Sequence, residues 1–311
     1  MDYDVIVIGM GPAGMTAGLY TARKNLKTLV LGMNLGGQTA LATDIQNYPG
    51  FLSVKGFDLS KKMEEQAKKA GAEIKFANVQ KVVKADGGFN VELSDGSFLL
   101  TKAVILGFGK TPRTMGMPGE KEFFGKGVST CATCDGPFYK GKDVAIIGGG
   151  NSALDAALYL SEIANRVYIV HRRDQYRGDE ITVDKVKKNE KIVQVLSYIP
   201  KEVKGDTKVT GLVVESVKDK SLKELKVDGV FLEIGYIVDP SMVKDLVKLN
   251  QMNEIVIDNS SKTNVSGIFA AGDCTNTPYK QTVISAGEGA KAGLEAYKFV
   301  SGSRVVGIDW H

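Results

Sequence analysis

The sequence predicts an α/β fold built from two Rossmann-like, three-layer domains. Two observations predict it. One architecture occurs twice: a continuous apolar strand, a glycine turn, a small-residue helix and a second apolar strand. Three further apolar strands also end in glycine. Open α/β sheets place their ligands just there, beyond the carboxyl ends of the strands. The length agrees, since 311 residues exceed one small core and suit two domains.

The elements follow in order. Val5–Ile8 is a continuous apolar run, as in a strand buried on both faces. The turn Gly9-Met10-Gly11-Pro12-Ala13-Gly14 leads into a helix from Met15 to about Lys24, and Leu29–Leu31 is the next strand. Residues 74–101 alternate polar and apolar around the turn signals Asp86-Gly87-Gly88 and Asp95-Gly96, which predicts a small antiparallel insertion. Strand Ala103–Leu106 ends at Gly107-Phe108-Gly109. The first pattern then returns: strand Val144–Ile147, turn Gly148-Gly149-Gly150-Asn151-Ser152-Ala153, a helix to about Ile163, and strand Val167–Val170. A second antiparallel stretch spans about Ile192–Lys226. Strand Gly229–Ile234 ends at Gly235, and the short strand from Gly267 ends at Gly272-Asp273.

Composition narrows the function. With 43% hydrophobic and 24% charged residues, the chain reads as globular. Its net charge of +4 is spread out, which argues against a nucleic-acid partner; Lys61-Lys62 and Lys187-Lys188 read as solvated helix faces. Met1-Asp2-Tyr3-Asp4 has no basic n-region, and no apolar stretch approaches the ~20 residues of a membrane span. The expectation is a cytoplasmic protein that does not use a membrane.

Both glycine turns fit a dinucleotide. The spacing Gly9-x-Gly11-x-x-Gly14 serves a tight turn, close approach to a pyrophosphate and helix–strand packing, and the helix start adds free N–H groups. The blander reading is a glycine turn of any α/β fold. A ribose-binding carboxylate is expected about twenty residues on; Gly32-Met33-Asn34 stands there instead, and Asn34 offers an uncharged hydrogen bond. After the second unit comes His171-Arg172-Arg173-Asp174-Gln175-Tyr176-Arg177. Arginine at this point suits a 2′-phosphate, which favours NADPH with Arg172, Arg173 and Arg177 as its contacts. His171 is placed beside the adenine or phosphate. A solvated basic turn is the alternative.

Three cysteines in so long a chain make no disulfide scaffold. Cys131-Ala132-Thr133-Cys134-Asp135 pairs two thiols with an acid shortly before the second glycine turn. A Cys-x-x-Cys at a helix start can have one acidified thiol, and Asp135 can move the proton that exchange requires. A structural zinc needs four ligands. Beyond Cys274, His171 and His311 no further cysteine or histidine exists, so the metal reading lacks its second ligand pair. An inert pair of small buried residues stays open. Cys274 reads as a small buried residue without a redox role.

Taken together, these motifs resemble low-molecular-weight thioredoxin reductase of the bacterial and archaeal type. Gly36-Gly37-Gln38, Asn47-Tyr48-Pro49-Gly50 and Ala270-Ala271-Gly272-Asp273 with Gln281-Thr282 complete the likeness, which covers nearly the whole chain. The resemblance implies an FAD domain in residues 1–113 and 241–311, and an NADPH domain inserted at 114–240. It implies FAD at Gly9, Gly11, Pro12, Ala13, Gly14, Gly32, Met33, Asn34, Gly37, Gln38, Asn47, Gly109, Gly272, Asp273, Lys280, Gln281 and Thr282. NADPH would lie at Gly148, Gly150, Asn151, Ser152, Ala153, His171, Arg172, Arg173, Arg177 and Gly235. Cys134 would face the flavin, Cys131 would attack the partner disulfide, and Asp135 would be the acid/base. A homodimer, a thioredoxin-like partner and rotation of the NADPH domain are implied with them. The stretch Tyr236-Ile237-Val238-Asp239-Pro240 differs from the family's usual Gly-x-x-Pro-Asn.

Three rivals share parts of this pattern. The flavin subunit of alkyl hydroperoxide reductase has the same motifs behind a thioredoxin-like extension, and could serve a glutaredoxin- or peroxiredoxin-like partner. The larger disulfide reductases carry their cysteines near the first glycine turn, where this chain has Gly36-Gly37-Gln38. A nucleotide-binding redox sensor is the non-enzyme alternative.

Overall fold

The computed structural model describes residues 1–42 and 45–302, with Cys134 by its backbone alone. The Cys134 side chain and His311 therefore lie outside the described residues. The chain divides into two compact units, Met1–Thr111 with Ile237–His311, and Pro112–Tyr236.

The first unit is organised around strand Tyr3–Ile8. Thr28–Gly32 and then Glu73–Phe76 extend the sheet on one side, and Phe98–Leu106 lies on the other, all parallel. Phe98–Leu106 has two kinds of neighbour. Its first half pairs antiparallel with Gly88–Leu93, in register Phe89↔Thr101, and that strand carries the hairpin partner Val79–Ala85. Its second half pairs parallel with Ile268–Ala270. Alternate side chains build a core on each face. Val5, Val7, Ala103 and Ile105 meet helices, while Ile6, Ile8, Val104 and Leu106 meet the hairpin side. Val5, Ile6 and Val7 are fully buried, as the unbroken apolar run requires.

Helix Pro12–Arg23 starts three residues before the expected Met15. Pro12 sits in the first turn, where its missing N–H costs nothing and its fixed φ favours the helix. The long helix Thr282–Ser301 packs closely on it. A Cβ added to Gly289 would lie 2.1 Å from the Ala13 carbonyl oxygen, so glycine sets the separation of the two helices.

The second unit repeats the plan. Its all-parallel sheet runs Ile192–Leu196, Arg166–His171, Asp143–Ile147, Gly229–Leu232, Val128–Ser129. Val144, Ile146 and Phe231 pack on the face bearing helix Asn151–Ile163. Ala145, Ile147, Val230 and Leu232 pack against the antiparallel sheet Tyr198–Gly205, Val209–Ser216, Leu222–Lys226. This makes three layers.

Each expected antiparallel stretch begins differently from the sequence reading. Glu73–Phe76 and Ile192–Leu196 are parallel edge strands of the main sheets. An edge strand is covered incompletely, so it lacks a continuous apolar run. The antiparallel pairing starts only at Val79 and Tyr198.

Candidate functional site

In the first unit the turn after Tyr3–Ile8 is shaped by backbone crowding. A Cβ on Gly14 would lie 1.8 Å from the Gly9 carbonyl oxygen, so only glycine lets helix and strand meet there. Gly11 is different: the nearest atom to a Cβ there is the Gly36 oxygen at 3.8 Å. Glycine at this position opens space in front of a helix whose N-cap has no side-chain partner. Free N–H groups and open space together suit a pyrophosphate.

Several expected residues gather around that opening. The Gly36 N–H donates to the Met10 carbonyl at 2.8 Å. Met33, Asn34 and Gln38 are exposed beside it. Asn47 Nδ2 donates to Gln281 Oε1 at 3.1 Å, and the Thr39 and Thr282 hydroxyls are 3.1 Å apart. Gly272 approaches Ala13, and Asp273 Oδ1 accepts from the Ser285 hydroxyl at 3.2 Å. The Gly109 N–H reaches the Cys274 sulfur. Cys274 is free and wholly buried, and burial pushes its thiol up to about 12, which makes it unreactive.

The sequence reading missed two carboxylates here. Glu288, 5% exposed on the long helix, accepts the Gly272 N–H at 2.7 Å and the Thr277 hydroxyl. It thereby holds the loop that carries Asp273. Its signal was an acid among the small residues Ser285-Ala286-Gly287-Glu288-Gly289. Glu254, 4% exposed, is shared by Lys110 at 3.3 Å and Lys280 at 3.2 Å. Burial pushes its carboxyl up, but Asn250 and the two ammonium groups outweigh this and leave it lowered. Two lysines on one carboxylate leave a net positive charge beside the Asp273 loop.

In the second unit Gly148 abuts the Glu233 carbonyl, where a Cβ would lie 2.3 Å from that oxygen. A Cβ on Gly149 would strike the His171 ring, 2.3 Å from Nδ1. Beside Gly150 there is nothing within 4 Å, the same opening as at Gly11. The Arg177 N–H donates to the Gly149 carbonyl at 2.7 Å, which ties the basic segment to the turn. Asn151 exchanges hydrogen bonds with Asp179, Ser152 is exposed, and Ala153 is buried. Gly235 has a positive φ of 91° with nothing within 4 Å of its added Cβ.

His171 is 9% exposed and stacks on Tyr176 at 6.0 Å. Among the described residues its Nε2 and the Tyr176 hydroxyl have no hydrogen-bond partner. Burial, and then the charges of Arg173, Arg172 and Arg177, hold the imidazole below its usual range despite a backbone hydrogen bond at Gln175. Arg172, Arg173 and Arg177 are exposed, and among the described residues none pairs with a carboxylate. Orphaned polar atoms beside three unpaired guanidinium groups fit a ligand carrying a phosphate ester.

Cys131 is in a disulfide and directly precedes the short helix Ala132–Asp135. Its N–H donates to the Ser129 hydroxyl at 3.0 Å, and its sulfur lies 3.4 Å from the Thr133 hydroxyl. The half-buried Asp135 donates its N–H to the Cys131 carbonyl at 3.2 Å. A third missed carboxylate belongs here: Glu233 takes a hydrogen bond from the Ala132 N–H.

Comparison with known proteins agrees with this geometry. Residues 3–289 match the family described as pyridine nucleotide-disulphide oxidoreductase. The thioredoxin reductase of Helicobacter pylori is 40% identical, across 96% of this chain and 98% of that protein. The bifunctional thioredoxin reductase/thioredoxin of Mycobacterium leprae is 39% identical, across 96% of this chain and 66% of its own length. The crystal structure of Lactococcus lactis thioredoxin reductase in its FR conformation superposes with a TM-score of 0.86 at 38% identity, covering 97% of this chain and all of that one.

Proposed function

We propose a function from one premise: the chain belongs to the pyridine nucleotide-disulphide oxidoreductase family and, within it, to the thioredoxin reductases. It is a flavoprotein disulfide reductase that uses NADPH and FAD to reduce thioredoxin. The observation that carries this is the disulfide at Cys131, set at a helix start in the same unit as the Gly150 opening and the three exposed arginines. The comparisons do not favour a peroxide-reductase flavoprotein or a sensor.

The residue roles are part of the proposal. Residues 1–113 and 241–311 hold FAD, with Gly11 against the pyrophosphate and Asp273 on the ribityl chain. Residues 114–240 hold NADPH, with Gly150 against its pyrophosphate and Arg172, Arg173 and Arg177 on its 2′-phosphate. The bound cofactors supply one electron pair per turnover. Cys131 pairs with Cys134 in the oxidised state. Once both are thiols, Cys131 Sγ attacks a sulfur of the thioredoxin disulfide, whose S–S bond breaks to leave a mixed disulfide. Cys134 Sγ then attacks Cys131 Sγ, which releases the second thioredoxin thiol and restores the internal disulfide. Asp135 takes the thiol protons and returns them to the leaving thiolates.

The proposal includes a homodimer, a cytoplasmic location and chemistry without a metal. No described helix is long and apolar enough to cross a membrane. Light scattering tests the dimer. Stopped-flow mixing with NADPH tests the enzyme: the flavin absorbance should bleach, and addition of oxidised thioredoxin should restore it. An enzyme that bleaches but leaves thioredoxin oxidised refutes the assigned partner.

A further inference from the structure

Glu233 stands outside every role assigned above. It follows strand Gly229–Leu232, whose Phe231 pairs in parallel register with Ser129. The pairing ends there, and Glu233 and Cys131 each lie two residues beyond that last paired position. Its main chain is pinned on the other side, because its N–H donates to the Ile147 carbonyl at 2.8 Å and its carbonyl abuts Gly148. Its carboxylate accepts the N–H of Ala132, the residue bonded to Cys131. Ser129 holds the Cys131 N–H in the same way. Two side chains at neighbouring strand ends thus fix the first two N–H groups of the dithiol segment. Only one of them is an acid, and among the described residues no cation pairs with it.

We propose that Glu233 is a positioning residue of the dithiol, which orients Cys131 through Ala132 and sets a negative charge beside its sulfur. A like charge disfavours the Cys131 thiolate. Less stable thiolate makes the reduced pair the stronger electron donor. Burial pushes the Glu233 carboxyl up to about 7 against the pull of the Ala132 N–H, so the ionised form dominates at pH 8. The neighbouring Tyr236, raised by burial and then by the Glu233 charge, supplies no positive charge. The inference rests on the dithiol role proposed for Cys131.

The test is alkylation of Cys131 in the FAD-loaded protein. A Cys134→Ser background leaves Cys131 as a thiol, and buried Cys274 stays silent. Iodoacetamide at pH 8 is followed by mass spectrometry. Glu233→Gln keeps an oxygen for Ala132 and removes the charge. It should speed alkylation ~3–4-fold, one pKa unit of added thiolate partly offset by lower nucleophilicity. Glu233→Met, of similar volume, is the second uncharged variant and should also speed it. An unchanged rate in a variant that keeps its flavin overturns the proposal. This readout uses neither NADPH nor thioredoxin, so its failure differs from a wild-type enzyme that cannot reduce thioredoxin.

Discussion

Glu233→Gln should also change how stability depends on pH. The Glu233 carboxyl moves from 4.5 to about 7 on folding, because burial favours its neutral form. A carboxyl that holds its proton more tightly when folded stabilises the fold fully below pH 4.5, and this contribution is lost as pH rises through about 7. The whole shift is worth about 3 kcal/mol. By linkage, the penalty is about 1 kcal/mol at pH 5 and about 3 kcal/mol at pH 8. An amide does not titrate, so replacement should relieve about 2 kcal/mol more at pH 8 than at pH 5. For a unit of this size, about 3–4 °C per kcal/mol gives a difference of ~6–8 °C. Scanning calorimetry at the two pH values, on wild type and variant, reads the melting transition of residues 112–236. A variant whose melting temperature shifts equally at both pH values would falsify the reasoning, since the carboxyl would then titrate alike in the folded and unfolded chain.

Three further outcomes follow from the sites. The double substitution Arg172→Gln with Arg173→Gln removes two charge-assisted contacts of about 1.5–3 kcal/mol each, so KM for NADPH should rise at least ~100-fold with kcat and KM for NADH little changed; steady-state kinetics with both nucleotides check this, and an equal loss with NADH would remove the 2′-phosphate assignment. Cys134→Ser should abolish thioredoxin reduction while NADPH still bleaches the flavin, and full disulfide activity in that variant would refute the dithiol route. Glu288→Ala strips the acceptor from the buried Gly272 N–H, at a cost of about 1–3 kcal/mol. FAD affinity should fall about tenfold or more, seen as flavin lost on gel filtration, and Glu288→Gln should retain more flavin because its amide oxygen can still accept.

What could be read from sequence depended on whether a residue's role is local. Val5–Ile8 and Val144–Ile147 are buried on both faces, so their burial was legible as unbroken apolar runs. Gly14 was legible because crowding within a turn leaves a fixed spacing. Glu73–Phe76 and Ile192–Leu196 were not, since an edge strand shows little apolar run and its partner lies far along the chain. Glu288, Glu254 and Glu233 were hidden for a stronger reason. Each is an acid whose meaning comes from an N–H or an ammonium brought to it by the fold: Gly272 by a long helix, Lys110 and Lys280 by two loops, Ala132 by a short helix that follows a neighbouring parallel strand. No spacing rule reports such a meeting. The residues nameable from sequence are thus those expected to touch the ligand or carry electrons, while those that aim them became visible only through pairing. Glu233 shows the consequence. Shifting strand Gly229–Leu232 by one residue would turn its side chain to the opposite face of the sheet and leave the Ala132 N–H without its acceptor. The behaviour of the dithiol therefore depends on strand register as well as on the two cysteines.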